Sequence, residues 1–165
     1  LSIRRQRQMC IRDSSYPEIT SMQARAIVGA AVKLKKEGNN PKVELMIPLV
    51  SNLAEFLNQK EIILAVKNEI LAKNDLNINF KIGTMIEVPR ACLVAAKIAE
   101  EADFFSFGTN DLTQTTFGFS RDDTGTFFPH YFNEEIMLAD PFEQIDRKGV
   151  GKLMKIAVKL SLIHI

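Results

Sequence analysis

Two acidic residues, Glu87 and Asp111, follow two apolar runs that are typical of buried strands. Glu87 comes directly after the run 80–86, and Asp111 comes one short turn after the run 104–107. Two carboxylates held close together repel each other unless one is protonated or a cation lies between them. A hard divalent cation would fit between Glu87 and Asp111, since Mg²⁺ for example binds one or two carboxylates together with substrate oxygens.

The turn that leads to Asp111, Gly108-Thr109-Asn110, adds groups that suit an anion. Glycine lets the backbone approach a ligand closely, and the amides of such a turn favour negative charge. The same residue types are also common turn formers, so the turn alone is a weak signal.

Both acids also have a purely structural interpretation. Asp111 could cap a helical turn that begins at Leu112. Glu87 could form an ion pair with Arg90. Spacing alone does not decide between these alternatives and a metal site.

The segment between the two runs predicts how the acids are positioned. Pro89 suits a helix first turn, and the apolar residues that follow at helical spacing are Leu93, Val94, Ala96, Ile98 and Ala99. Two strands joined by one crossover helix are parallel, and neighbouring parallel strands lie about 4.8 Å apart. We therefore expect Glu87 and Asp111 at one sheet edge, where parallel α/β proteins carry their chemistry.

The residues before this unit predict two more helices and one more strand. A capping box, Ser15 to Glu18, begins a helix that ends at Gly38, and 43–48 reads as a buried strand. Asn52 with Glu55 caps the next helix, which stops at Asn74-Asp75. The predicted apolar faces are Ile19, Met22, Ala26, Ile27, Ala30, Ala31 and Leu34 in the first helix, and Leu53, Phe56, Leu57, Ile63, Val66 and Ile70 in the second.

The residues after Asp111 predict a helical turn at 112–117 and an irregular loop at 118–131. A short helix at 134–138 and a last amphipathic helix at 149–160 follow. The alternation of helix and strand indicates an α/β fold with a parallel sheet. Three strands leave two unpaired edges, which favours part of a larger sheet or barrel.

Composition excludes several classes of function. A length of 165 residues suits one domain, and 21 Lys and Arg against 20 Asp and Glu give no field for nucleic acid or an acidic membrane. No apolar run reaches a membrane span. Cys10 and Cys92 form no zinc or redox spacing, which indicates a reducing cytoplasm with Cys92 buried, and His130 and His164 read as surface residues.

Three motifs carry a resemblance to a known family. They are GTMIEVPRA at 83–91, FFSFGTNDLTQ at 104–114 and FGFSRDD at 117–123. Together they resemble the C-terminal barrel of the pyruvate, phosphate dikinase family, which binds phosphoenolpyruvate (PEP) and pyruvate. The segments at 15–27, 44–50 and 140–151 resemble the same family in the same order.

The resemblance implies a fold and a set of site residues. The fold would be a (β/α)₈ TIM barrel, of which this chain carries about three of the eight strands. Glu87 and Asp111 match the Mg²⁺ ligands of the family, and Gly108, Thr109, Asn110 and Asp111 match positions that contact pyruvate or PEP. In the family, a phosphoryl group is transferred between a phosphohistidine on a separate domain and pyruvate, which becomes PEP. The resemblance also implies a homodimer that forms through the barrel.

The catalytic groups of the family have no counterpart in this chain. Neither histidine matches the phosphorylated one, and neither cysteine matches the acid/base cysteine, so the resemblance implies no catalytic residue here. Three alternatives remain: a different PEP-utilising enzyme such as PEP synthase, a free-standing binding module, or an incomplete product. Residues 15–160 match the family as a partial domain, and we expect the unmatched ends 1–14 and 161–165 to come from a cloning or sequencing junction.

Overall fold

The computed structural model describes residues 15–162 and contains one three-stranded sheet. Strands β1 (Val43–Ile47), β2 (Phe80–Ile86) and β3 (Phe105–Phe107) are parallel and lie in the order β1-β2-β3. The prediction of three parallel strands in an α/β fold is confirmed. The sheet is consistent with part of a PEP-binding barrel, and closure into a (β/α)₈ barrel stays a prediction.

The described residues also form seven α-helices and one 3₁₀ helix. They are α1 (Pro17–Lys36), α2 (Leu53–Asn74), α3 (Pro89–Leu93), α4 (Ala95–Ala99), α5 (Thr109–Phe117), a 3₁₀ helix (Arg121–Thr126), α6 (Phe128–Asn133) and α7 (Val150–Ser161). Within residues 15–162, no helix combines the length and the hydropathy that a membrane span requires.

Helix α1 begins without the predicted capping box. Tyr16 is its N-cap and makes no side-chain cap bond, so the cap predicted at Ser15 is wrong, although Pro17 lies in the first turn as predicted. The predicted apolar face is also mostly wrong, because Met22 is 62% exposed and Ile27 is 41% exposed. Apolar residues lie on more than one side of this helix, and the buried set is Ala24, Val28, Ala31 and Val32.

Helix α2 begins as predicted. Asn52 Oδ1 accepts a hydrogen bond from Glu55 N (3.1 Å), and the Glu55 carboxylate accepts from Ser51 N and Oγ, each at 2.7 Å. The helix ends at Asp75, a C-cap in the left-handed conformation (φ 51°). These bonds fix the connection from β1 to α2, which lies beside the carboxyl end of the sheet.

The crossover from β2 to β3 is two short helices rather than one. The break is at Val94, and Lys97 N donates to Val94 O, which is a tighter turn than an α-helix makes. The predicted face is shifted, since Leu93 is 58% exposed. The buried side consists of Ala91, Cys92, Ala95, Ile98 and Ala99.

The segment after α5 is more regular than predicted. The expected loop 118–131 contains the 3₁₀ helix and most of α6, and the helix predicted at 134–138 is wrong. Glu135 there is left-handed (φ 54°), which ends the helical path. Aromatic contacts set this arrangement: the Phe119 ring lies 5.2–6.0 Å from the rings of Phe117, Phe127, Phe128 and Phe142.

One apolar core holds the end of β2 in place. Its largest fully buried members include Phe56, Ile63, Ile86, Ile98, Leu112 and Val150. Helix α7 packs across α3 and α4, which holds the crossover against the sheet. Cys92 is fully buried in this core, and burial raises the pKa of its thiol to about 11, so it is the structural residue that the sequence predicted.

The predicted surface position of His130 is confirmed, because it is exposed in α6. Cys10, His164 and the segment 1–14 lie outside the described residues. Of the predicted tail 161–165, Ser161 ends α7 and Leu162 is its C-cap.

Candidate functional site

The carboxyl ends of β2 and β3 bring the predicted residues together. Ile86 pairs with Phe107 in the parallel register, so Glu87 and Gly108 follow side by side. Gly108 N donates to Ile86 O at 3.3 Å, which continues the pairing one residue beyond the strands. The sequence prediction that both turns leave the same sheet edge is therefore confirmed.

Gly108 provides the space that Glu87 occupies. A Cβ atom at residue 108 would overlap Glu87 Oε2 and would lie 2.7 Å from Met85 Sδ. The backbone angle of Gly108 is ordinary (φ −86°), so space rather than conformation demands glycine here. The close neighbour of this glycine in the structure is the Glu87 carboxyl, and its predicted contact with a ligand stays a prediction.

Glu87 is a buried acid with a raised pKa. Its exposed fraction is 2%, and Leu49 N donates to its Oε1 at 2.7 Å. Burial raises the pKa of Glu87 to about 7, the Leu49 hydrogen bond opposes this shift, and the charge and side-chain hydrogen bond of Asp111 add to it. Near neutral pH a large fraction of the Glu87 carboxyl groups therefore keeps its proton.

Asp111 lies in the first turn of α5 and is held by amide groups. Gln114 Nε2 donates to Asp111 Oδ1 at 2.8 Å, and Asn110 Nδ2 donates to the same oxygen at 3.2 Å. Thr115 Oγ1 donates to the Asp111 carbonyl at 2.7 Å. These contacts hold Asp111 through other residues of α5, and its side chain also forms a hydrogen bond with Glu87.

The structure shows neither the helix cap proposed for Asp111 nor the ion pair proposed for Glu87 and Arg90. The N-cap of α5 is Gly108, without a side-chain cap bond, so Asp111 does not cap a turn that begins at Leu112. Arg90 Nη1 donates to the Ser51 carbonyl at 2.7 Å, so its guanidinium is directed to the β1–α2 connection rather than to Glu87.

Thr109 and Asn110 are exposed at the start of α5. The first intrahelical bond of α5 is donated by Leu112 N to Gly108 O at 2.9 Å, so the amides of residues 109–111 precede it. Amides in this position point out of the helix and favour an anion. Asn110 also accepts a hydrogen bond from Arg121 Nη1 through its Oδ1 at 3.3 Å.

The donor set suits Mg²⁺ rather than a closed structural metal site. Within residues 15–162, no three or more His, Cys, Asp and Glu side chains are grouped so that they could hold a metal ion by themselves. The neighbouring carboxyl groups of Glu87 and Asp111 offer hard oxygen ligands to a cation. Mg²⁺ commonly takes one or two carboxylates and completes its shell with water and substrate oxygens.

Sequence reasoning missed three contributors to this site. Leu49, Gln114 and Arg121 contact the predicted residues, and none of them was predicted as a site residue. Gln114 has a readable signal, because residues three apart on a helix face each other. Leu49 has none, since it acts through its backbone in a left-handed conformation (φ 54°) that leucine rarely adopts.

The raised pKa of Glu87 predicts a pH dependence of stability. Between pH 4.5 and about 7 the folded state keeps the Glu87 proton that the unfolded state has lost. The free energy of unfolding should therefore fall as pH rises through this window, by an amount of the order of 2–3 kcal/mol. Urea denaturation at several pH values measures it.

Glu87→Gln is the matched control, because glutamine keeps an acceptor for Leu49 N and a donor for Asp111 without a titrating proton. The difference in stability between wild type and Glu87→Gln should grow from pH 4.5 to 7 and stay constant above it. A difference that does not change with pH would show that Glu87 ionises normally.

A family model and individual relatives of this chain identify the same family. Residues 5–163 match the family model described as "PEP-utilising enzyme, PEP-binding domain". The chain is 51% identical over 150 residues to pyruvate, phosphate dikinase 2 of Oryza sativa subsp. japonica, which covers 91% of this chain and 17% of that protein. It is 49% identical over 150 residues to pyruvate, phosphate dikinase 1, chloroplastic, of Arabidopsis thaliana, with 91% and 16% covered. The chain thus spans 16–17% of the length of these relatives.

Proposed function

The chain belongs to the PEP-binding domain family of PEP-utilising enzymes, and from this premise we propose that it forms the Mg²⁺-binding wall of a pyruvate and PEP site. The parent enzyme would be a pyruvate, phosphate dikinase, which converts ATP, pyruvate and phosphate to AMP, PEP and pyrophosphate. The observation that carries the proposal is the placement of the two acids on the turns that follow β2 and β3 at one sheet edge, where the charge and the hydrogen bond of Asp111 act on the buried Glu87 carboxyl.

In this proposal Glu87 and Asp111 are the metal ligands. When bound, Mg²⁺ supplies positive charge to the carboxylate and enolate oxygens of pyruvate. Glu87 must release its proton to act as a ligand, and the Leu49 amide holds its Oε1 as it does so. Gln114 and Asn110 hold Asp111 Oδ1, which leaves the orientation of this carboxylate fixed before any ligand arrives.

Residues 108–111 bind the substrate in this proposal. The absence of a side chain at Gly108 lets the Glu87 carboxyl lie against the backbone of residue 108, and the first amides of α5 favour the anionic carboxylate of pyruvate or PEP. Thr109 and Asn110 are exposed, so they are accessible to a substrate that approaches the sheet edge.

The phosphoryl donor and the proton donor would come from other parts of the parent protein. His130 is exposed in α6 and Cys92 is enclosed in the core, so neither is proposed as catalytic. A phosphohistidine domain of the parent chain is the proposed partner. The homodimer and the cytoplasmic location remain predictions, and several relatives are chloroplastic by name.

Calorimetry of the 165-residue chain with Mg²⁺ and oxalate tests the proposal. Oxalate mimics the planar enolate of pyruvate, and we expect binding heat that requires both components. Titrations with Mg²⁺ plus succinate, a dianion of different shape, provide the control. If oxalate gives no heat that depends on Mg²⁺, the chain does not carry this site.

A further inference from the structure

Gln114 has a buried side chain that contacts Asp111, one of the two proposed metal ligands. Its exposed fraction is 2%, and it lies one helical turn after Asp111 in α5. Its Nε2 donates to Asp111 Oδ1 at 2.8 Å, and its Oε1 accepts from the backbone N of Arg121 at 2.9 Å. One amide therefore joins the proposed metal ligand to the segment that follows α5.

The two contacts define which chemical group this position needs. A carboxylate requires a donor, and a backbone N–H requires an acceptor, so only a side chain with both groups satisfies the two partners. They also fix the orientation of the amide, because the flipped amide would place oxygen against carboxylate. A glutamate here would lose the donor, and a methionine of similar size would lose both bonds.

A second path joins the same residues. Arg121 Nη1 donates to Asn110 Oδ1 at 3.3 Å, and Asn110 Nδ2 donates to Asp111 Oδ1 at 3.2 Å. The Arg121 guanidinium also lies over the Phe142 ring, 5.6 Å from its centroid. Gln114, Arg121, Asn110 and Asp111 thus form a closed set of contacts.

We propose that Gln114 is a positioning residue that orients Asp111 for a divalent cation and couples this orientation to the 3₁₀ helix that begins at Arg121. The inference rests on the proposed function, since it assumes that Asp111 is a metal ligand. Residues that orient metal ligands typically contribute 10- to 100-fold to metal affinity.

Titration of the 165-residue chain with Mn²⁺, followed by electron paramagnetic resonance of the free ion, tests the orienting role. Gln114→Met should raise the Mn²⁺ dissociation constant about 10- to 100-fold. Gln23→Met, at an exposed position in α1, is the matched control and should leave the constant unchanged. Thermal melts of both variants separate a loss of stability, which a merely structural role would produce, from a loss of affinity.

Two substitutions of Arg121 test the coupling without disturbing the core. Arg121→Ala keeps the backbone N–H that Gln114 accepts, whereas Arg121→Pro removes it. Proline fits here because Ser120 has the extended backbone (φ −84°, ψ 144°) that a residue before proline adopts. The proline variant should bind Mn²⁺ about fivefold more weakly than the alanine variant, as expected for one lost hydrogen bond.

The outcomes separate the two proposals. A wild-type chain that binds no Mn²⁺ would overturn the proposed metal site and, with it, the role of Gln114. Wild-type binding that stays within twofold in Gln114→Met would overturn the inference alone. Equal constants for Arg121→Pro and Arg121→Ala would overturn the coupling, and if Gln114→Met does not fold, this pair decides the inference.

Discussion

Asp111→Asn should raise the dissociation constant of the chain for Mn²⁺ by at least about 100-fold. The reason is that asparagine keeps the size of the side chain but removes the charge that binds the cation, and even residues behind a ligand contribute 10- to 100-fold. The same substitution should lower the pKa of Glu87, because the charge and the hydrogen bond of Asp111 both raise it. Paramagnetic resonance measures the first effect, and a carboxyl NMR titration measures the second.

Asp75→Asn is the matched control for this experiment. Asp75 is an exposed carboxylate at the C-terminal end of α2, and asparagine also tolerates its left-handed backbone. This variant changes the net charge equally and should leave both quantities unaltered. Unchanged Mn²⁺ affinity in Asp111→Asn would remove Asp111 from the ligand set, and an unchanged pKa of Glu87 would show that the two acids are not coupled.

Gly108→Ala should destabilise the chain and weaken metal binding together. The added Cβ would overlap Glu87 Oε2 and would lie 2.8 Å from Glu87 Cβ, so the Glu87 side chain must move. Overpacking of this kind typically costs about 1–3 kcal/mol. Displacement of Glu87 should also break the hydrogen bond that its Oε1 accepts from Leu49 N. Urea denaturation measures the loss of stability, and Mn²⁺ titration measures the loss of metal affinity.

Gly29→Ala provides the contrast, because no atom lies within 4 Å of a Cβ at that position in α1. Alanine in a helix interior is more favourable than glycine by roughly 0.5–1 kcal/mol, so this variant should be more stable than wild type. A Gly108→Ala chain with wild-type stability and wild-type Mn²⁺ affinity would show that the site expands freely and that Glu87 is not held in place.

Local sequence signals predicted the parts of the fold that depend on neighbouring residues. The β2 strand at 80–86, the cap of α2 at Asn52 and the parallel order of the sheet were all readable, because each follows from short-range patterns. The juxtaposition of Glu87 and Asp111 followed from the same reasoning. Topology places the ends of parallel strands at one edge, whatever packs around them.

The parts that were not predicted depend on packing between distant segments. The buried side of α1 is set by contact with α2. The residues after α5 form short helices that pack through the aromatic rings around Phe119. The buried residues of α1 recur at helical spacing, but so do apolar residues on its exposed side, and the pattern alone therefore does not decide which side packs. Site residues that act through a buried amide, such as Gln114, likewise become visible only when Arg121 is seen beside them.

The hydrogen bond from Leu49 to Glu87 has a consequence for mutational mapping. Its donor belongs to the main chain, so alanine scanning would retain the donor and pass over residue 49 even where the contact matters. An ester in place of that amide would delete the N–H while keeping the leucine side chain. Side-chain substitutions therefore cannot measure how much the Leu49 N–H contributes to the Glu87 site. A chemically synthesised chain with that backbone ester can measure it.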